Sequence, residues 1–168
     1  MKLRTLREET PSGLVNVTNF SRSTDGLISG DALSYENLSL FQDVNGKVTT
    51  SIFNKPTLTN TSTSPEGRIT TTKVDSIRRP VEYQVPGIDP TVLERNAKGQ
   101  LISITQGDRK TNMVYNSEGF LESTANALNE TTSFEYNKSG QLTAQVSPSG
   151  RRVEFARDAN GNMTSLTT

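Results

Sequence analysis

The chain has 168 residues with 18 Lys and Arg against 18 Asp and Glu, so no net field draws it onto nucleic acid or an anionic membrane. It contains no Cys and no His, which excludes disulfides, thiolate metal sites and Ser-His or Cys-His catalytic pairs. The apolar share is 31 %, low for one globular domain, and the Ser and Thr that replace Val and Ile suit a thin sheet with a wet face better than a thick core.

The opening Met1-Lys2-Leu3-Arg4-Thr5-Leu6-Arg7-Glu8-Glu9 has no apolar core of about 7–15 residues and is not read as a signal peptide. No run approaches the roughly 18 apolar residues of a membrane helix, so no membrane span is expected. Up to about residue 40 the chain reads as irregular β with degenerate repeats. Leu14 to Phe20 alternates as a strand should, and Thr24-Asp25-Gly26 marks a turn, but neither falls into a phase.

From Phe41 a phase appears. Tyr115-Asn116-Ser117-Glu118-Gly119-Phe120-Leu121 returns as Tyr136-Asn137-Lys138-Ser139-Gly140-Gln141-Leu142, then as Arg157-Asp158-Ala159-Asn160-Gly161-Asn162-Met163. Gly119, Gly140 and Gly161 stand 21 residues apart, a spacing typical of repeat architectures. Upstream members of this series are Phe53-Asn54-Lys55-Pro56-Thr57, Val74-Asp75-Ser76-Ile77-Arg78 and Arg95-Asn96-Ala97-Lys98-Gly99. The first two lack the closing Gly and are expected to turn differently or with strain. A second turn series interleaves with it at Gly46, Gly67, Pro86-Gly87, Gly107, Asn129 and Gly150.

Strands of five to seven residues are expected between the turns: 47–53, 68–74, 100–105, 110–115, 120–125, 131–136, 141–146 and 151–157, with a last one over 164–168. Val85-Pro86-Gly87-Ile88-Asp89-Pro90 reads as a loop, because two prolines in five residues prevent regular pairing. No segment has a helical period with cap and stop. The expected fold is all-β: an antiparallel meander of repeated β-hairpins of about 21 residues, forming one twisted, coiled sheet. Its organisation reads as degenerate β over 1–40 and one continuous repeat ribbon over 41–168, part of a longer chain. Tyr115, Gly119, Leu121, Tyr136, Gly140, Leu142, Asp158, Gly161, Gly99 and Asp75 are the structural repeat positions.

These motifs resemble the RHS-repeat, or YD-repeat, family, whose unit is Tyr-Asp, a few variable residues, Gly, a polar residue and Leu. The resemblance implies a ribbon wound into a hollow shell which, in toxin members, encloses a separate C-terminal polypeptide. It therefore implies a non-catalytic wall segment of a larger, secreted or cell-surface, bacterial protein. Expected partners are further repeats or a C-terminal effector of the parent chain, and exposed edge strands could self-associate. The alternative is an adhesion module binding carbohydrate or a cell-surface receptor, with Tyr115 and Tyr136 as stacking residues.

Chemistry is sparse. No nucleophile elbow, Walker loop or dinucleotide fingerprint is present. Glu118, Glu122 and Glu135 could meet across repeats but read better as solvated strand positions. Asp43-Val44-Asn45-Gly46 and Asp158-Ala159-Asn160-Gly161 lack the remaining ligands of a calcium loop and read as turns. In the family this sequence resembles, toxin members often end their shell with an Asp-Pro-x-Gly-Leu block associated with self-cleavage; Asp89-Pro90-Thr91-Val92-Leu93 shares only the Asp-Pro and the Leu, so that protease role is not carried to Asp89. No catalytic residue, cofactor or metal is expected.

Overall fold

A computed structural model describes residues 4–11, 15–26 and 34–168; Met1 to Leu3 and Leu14, both used in the sequence reading, lie outside them. The chain divides into two compact units, Met1–Pro90 and Thr91–Thr168. The first holds β1 (Arg4–Glu9), β2 (Val15–Asp25), β3 (Asn37–Val44), β4 (Lys47–Asn54), β5 (Thr59–Thr63), β6 (Ile69–Val74) and β7 (Pro80–Gln84). The second holds β8 (Thr91–Arg95), β9 (Leu101–Gln106), β10 (Arg109–Tyr115), β11 (Leu121–Ala125), β12 (Thr131–Tyr136), β13 (Leu142–Val146), β14 (Arg152–Arg157) and β15 (Met163–Thr167).

Within each unit every strand pairs antiparallel with its sequence neighbour. The described residues contain no helix, and the fold is the all-β antiparallel meander the turn periodicity predicts. From β4 onward the ends of the expected strands fall within a residue or two of those read from the sequence, but β2 runs on through Thr24 and Asp25, where a turn is expected, and pairs there with β3. β1, β3, β5, β7 and β8 are not among the strands expected from the sequence. β5 is Thr-Asn-Thr-Ser-Thr, which fits a pleated surface by β-branching but has no apolar alternation to reveal it.

Three residues among those described are buried: Thr18, Ser103 and Ala144. Such a sheet has faces rather than a core. In the second unit the register puts Leu93, Ile104, Met113, Phe134, Val153 and Phe155 on one face. Glu94, Lys110, Glu135, Arg152 and Glu154 lie on the other.

An odd repeat conflicts with this sidedness. Side chains alternate faces along a strand, so a shift of 21 would carry each repeat's apolar set to the wrong side. A bulge in five of the six first-series hairpins resolves the conflict; β4 and β5 pair without one. Val114 pairs with Ser123 while Tyr115 pairs with Leu121, leaving Glu122 as the extra residue. The same shift recurs between Glu135 and Tyr136, between Ala156 and Arg157, between Glu94 and Arg95, and between Lys73 and Val74. Each bulge inserts one residue and inverts the parity once per repeat. Where β9 and β10 are joined by only Gly107 and Asp108, a second inversion occurs, and the spacing from Gly99 to Gly119 is accordingly 20.

Candidate functional site

The chemistry that recurs along the chain is concentrated in the turns. In the loops Ser64–Arg68, Asp75–Arg79, Asn96–Gln100, Asn116–Phe120, Asn126–Glu130, Asn137–Gln141, Ser147–Arg151 and Asp158–Asn162, the first N–H donates to the fifth C=O at 2.8–3.1 Å. The fourth N–H donates to the first C=O at 2.8–3.0 Å. This is a type I turn closed by a left-handed residue, a common three-residue hairpin connection.

The first residue of the loop needs an acceptor side chain, which explains the Asn, Asp or Ser found there. Asn137 Oδ1 accepts Ser139 N–H and Gln141 N–H, both at 3.0 Å, and Asp75, Asn96, Asn126 and Asp158 do the same in their own loops. A second bond ties the first and fifth side chains: Asn96 to Gln100 at 2.8 Å, Asn137 to Gln141 at 2.9 Å, Asp75 to Arg79 at 2.7 Å and Asn162 to Asp158 at 3.1 Å. The backbone N–H of Arg79, aided by its guanidinium, holds the Asp75 carboxyl below its ordinary pKa. Asn162, through its side chain and then its N–H, does so for Asp158.

The fourth residue is left-handed whatever its identity. Gly99, Gly119, Gly140 and Gly161 have φ of 75–93°, and Arg78 and Asn129 adopt φ 69° and 59° without being glycine. One upstream position departs from the sequence reading. The loop after β4 turns at Leu58, φ 54°, and not at Thr57, because Asn54 Oδ1 captures both the N–H and the hydroxyl of Thr57. The loop is thereby one residue longer, and Arg78 carries the strain anticipated for a repeat without Gly.

Glycine has a second role, which the motif does not announce. The residue after each turn glycine reaches forward to the glycine of the next repeat. Gln100 Nε2 donates to Gly119 O at 2.9 Å. The Phe120 ring lies over Gly140, where a Cβ would overlap Phe120 Cζ, and Gln141 Nε2 occupies the place of a Cβ on Gly161. Phe120 also stacks on Tyr136, centroids 5.1 Å apart. We call these contacts staples.

The Tyr position anchors the turn from the other side. Tyr115 Oη donates to Leu101 O at 2.9 Å. Arg157 replaces Tyr in the third copy and sends Nη1 to Gly161 O at 3.0 Å and Nε to Leu142 O at 3.5 Å. Leu121 and Leu142 pair directly with Tyr115 and Tyr136 across the hairpin. An open groove of about 430 Å³ runs beside these anchors, lined in part by Asn96, Lys98, Ile102, Met113 and Tyr115.

On the charged face, ion pairs bridge over a small residue on the strand between them. Arg152 grips Glu135 with two bonds, 2.5 and 2.8 Å, and Glu154 with one at 2.8 Å; beneath them Ala144, paired with both glutamates, is 1 % exposed. Glu94 takes Ser103 Oγ at 2.5 Å and Lys110 Nζ at 3.5 Å, and Ser103 is 2 % exposed. Arg152 holds the Glu135 carboxyl below its usual pKa, and the Ser103 hydroxyl followed by Lys110 does so for Glu94. Glu135 is thus committed to Arg152, and Asp43 Oδ1 to Gly46 N–H at 2.7 Å. Among the described residues no group of three or more Asp or Glu converges as a metal site would require.

These features define a repeat protein whose unit is a stapled β-hairpin. Residues 9–168 match the teneurin YD-shell family, and the chain belongs to that family. Over 100 residues, 58 % of the chain, it is also 36 % identical to double-stranded DNA deaminase toxin A of Burkholderia cenocepacia (strain H111). The match spans 6 % of that protein.

Proposed function

We propose that this chain is a non-catalytic segment of a YD-repeat shell that helps enclose or present a toxin or effector domain located elsewhere in a longer, secreted or cell-surface, bacterial protein. The observation that carries this reading is where the repeat side chains go. Asn96, Asn137, Asp75 and Asp158 bond within their turns, Tyr115 bonds the neighbouring strand, and Phe120 and Gln141 lie on the next repeat. The repeat spends its chemistry on building the wall.

The similarity to a deaminase toxin supports the association with effectors but brings no activity to this chain. Nucleobase deaminases hold zinc with His and Cys, and the sequence has neither. Residues 41–168 are the continuous ribbon in this proposal, and 1–40 its degenerate lead-in. Tyr115, Gly119, Leu121, Tyr136, Gly140, Leu142, Asp158, Gly161, Gly99 and Asp75 are its structural positions. Further repeats would pair with the edges, where β1 and β15 each have one partner among the described residues. No helix among the described residues is long and apolar enough to cross a membrane.

Carbohydrate or receptor binding through Tyr115 and Tyr136 would need free rings. The Tyr115 hydroxyl is bonded to Leu101 O and the Tyr136 ring is stacked on Phe120, which favours the structural role. The test is limited proteolysis of the parent protein. A shell predicts that the effector domain survives digestion in the intact parent and is degraded quickly when expressed alone. Equal digestion in both contexts contradicts enclosure.

A further inference from the structure

The chain contains two Asn-Gly pairs, Asn45-Gly46 and Asn160-Gly161, and both sit in hairpin turns. In such a pair the glycine nitrogen reaches the asparagine carboxamide with least hindrance, since glycine has no side chain to block the approach. The two turns hold that carboxamide very differently. Asn45 Oδ1 accepts Val17 N–H at 2.8 Å, and Asn45 N–H donates to Val17 O at 3.0 Å, so both ends of the residue are pinned to β2.

Asn160 is exposed. Its N–H donates to Asp158 Oδ1 at 2.9 Å, while its carboxamide has no hydrogen-bond partner among the described residues. The turn must open locally before the reaction can start. Opening matters because Gly161 N–H is bonded to Asp158 O at 3.0 Å and must be released before its nitrogen can react.

We propose that Asn160 is a site of spontaneous deamidation and that the anchoring of Asn45 protects the other pair. Gly161 N loses its proton to solvent base and attacks Asn160 Cγ. The N–Cγ bond forms, the Cγ–Nδ2 bond breaks, and Nδ2 takes up a proton and leaves as ammonia, giving a cyclic succinimide. Water then opens either ring carbonyl and yields aspartate or isoaspartate, with no change in oxidation state. The isoaspartyl product adds a main-chain carbon inside a loop closed by the Asp158–Asn162 and Gly161–Asp158 bonds. It also puts a new carboxylate beside Asp158. The modification is therefore a slow, one-way release of the β14–β15 hairpin.

The test is ageing of the 168-residue chain at mildly alkaline pH, with peptide mass spectrometry at both sites and an isoaspartyl methyltransferase assay. The expected result is conversion at Asn160 about tenfold faster than at Asn45, since freeing Asn45 breaks a hydrogen bond. In concentrated guanidinium the two rates converge, and Asn160→Gln removes the fast signal. Equal rates in the folded chain, faster reaction at Asn45, or no conversion at Asn160 each overturn the proposal. Hydrogen exchange on the isoaspartyl fraction should find protection lost in 163–167 and kept in 142–146; unchanged protection of β15 overturns the release.

Discussion

Replacing Gly140 by Ala separates the two roles assigned to the turn glycine. Gly140 and Gly150 have similar left-handed φ, 75° and 82°, so alanine incurs the same backbone penalty at each, about 1–2 kcal/mol. Their surroundings differ. A Cβ at Gly150 meets nothing within 4 Å, whereas one at Gly140 overlaps the Phe120 ring and must displace it from its stack on Tyr136. Loss of an aromatic pair adds about 0.5–1.5 kcal/mol. Gly140→Ala should therefore cost about 1.5–3.5 kcal/mol and Gly150→Ala about 1–2 kcal/mol. Urea unfolding of the 168-residue chain with unchanged m-value measures both. In a Phe120→Ala background the excess at Gly140 should vanish, a coupling that a double-mutant cycle isolates. Equal costs at the two glycines, or an excess that survives removal of the ring, would refute the staple.

Other consequences follow from the turns and from the bridged ion pairs. Asn137→Ala removes two accepted N–H bonds and one donated bond, and should destabilise by about 1–2 kcal/mol; Asn137→Asp keeps both acceptors and should cost less in the same urea assay. Ala144→Leu forces a larger side chain beneath Arg152 and should cost about 1–3 kcal/mol, with hydrogen exchange rising first in β12 to β14. Asp75, Glu94, Glu135 and Asp158 all have lowered pKa values. Their contribution is present above the ordinary carboxylate range and is lost as pH falls through their folded values, so the melting temperature should drop on acidification. Asp158→Asn should flatten that drop, and a melting temperature indifferent to acid would contradict the assignment.

Much of the fold is legible in the sequence because its punctuation is local. A left-handed residue and an Asx acceptor must stand at fixed places in each loop, and they mark the loops at Gly99, Gly119, Gly140 and Gly161 directly. The Tyr, Gly and Leu positions can be nominated from phase alone, although what each touches cannot. Contacts between repeats leave a weaker trace. The Phe120 and Gln141 staples share a position but not a residue type, since any side chain long enough to reach the next glycine will serve. The bulge residues Val81, Ile102, Glu122, Thr143 and Thr164 share no residue type, and only the conflict between an odd period and fixed faces betrays them. Small residues at one phase, Ser103 and Ala144, are the available sign of the ion pairs arching above the sheet. β5 escaped because threonine hydroxyls carry no apolar alternation. Leu58 escaped because Pro56 and the double capture of Thr57 move the turn by one residue.

Whether this chain is one stretch of wall in a larger protein can be read from the source gene, sequenced through codons 1 and 168 in both directions. A shell segment requires an open frame that continues into further hairpins of 20 or 21 residues, stapled by the same glycine phase, and reaches an unrelated domain beyond them. A start codon at Met1 together with a stop after Thr168 would contradict it and leave a small, self-contained β-module in place of a shell segment.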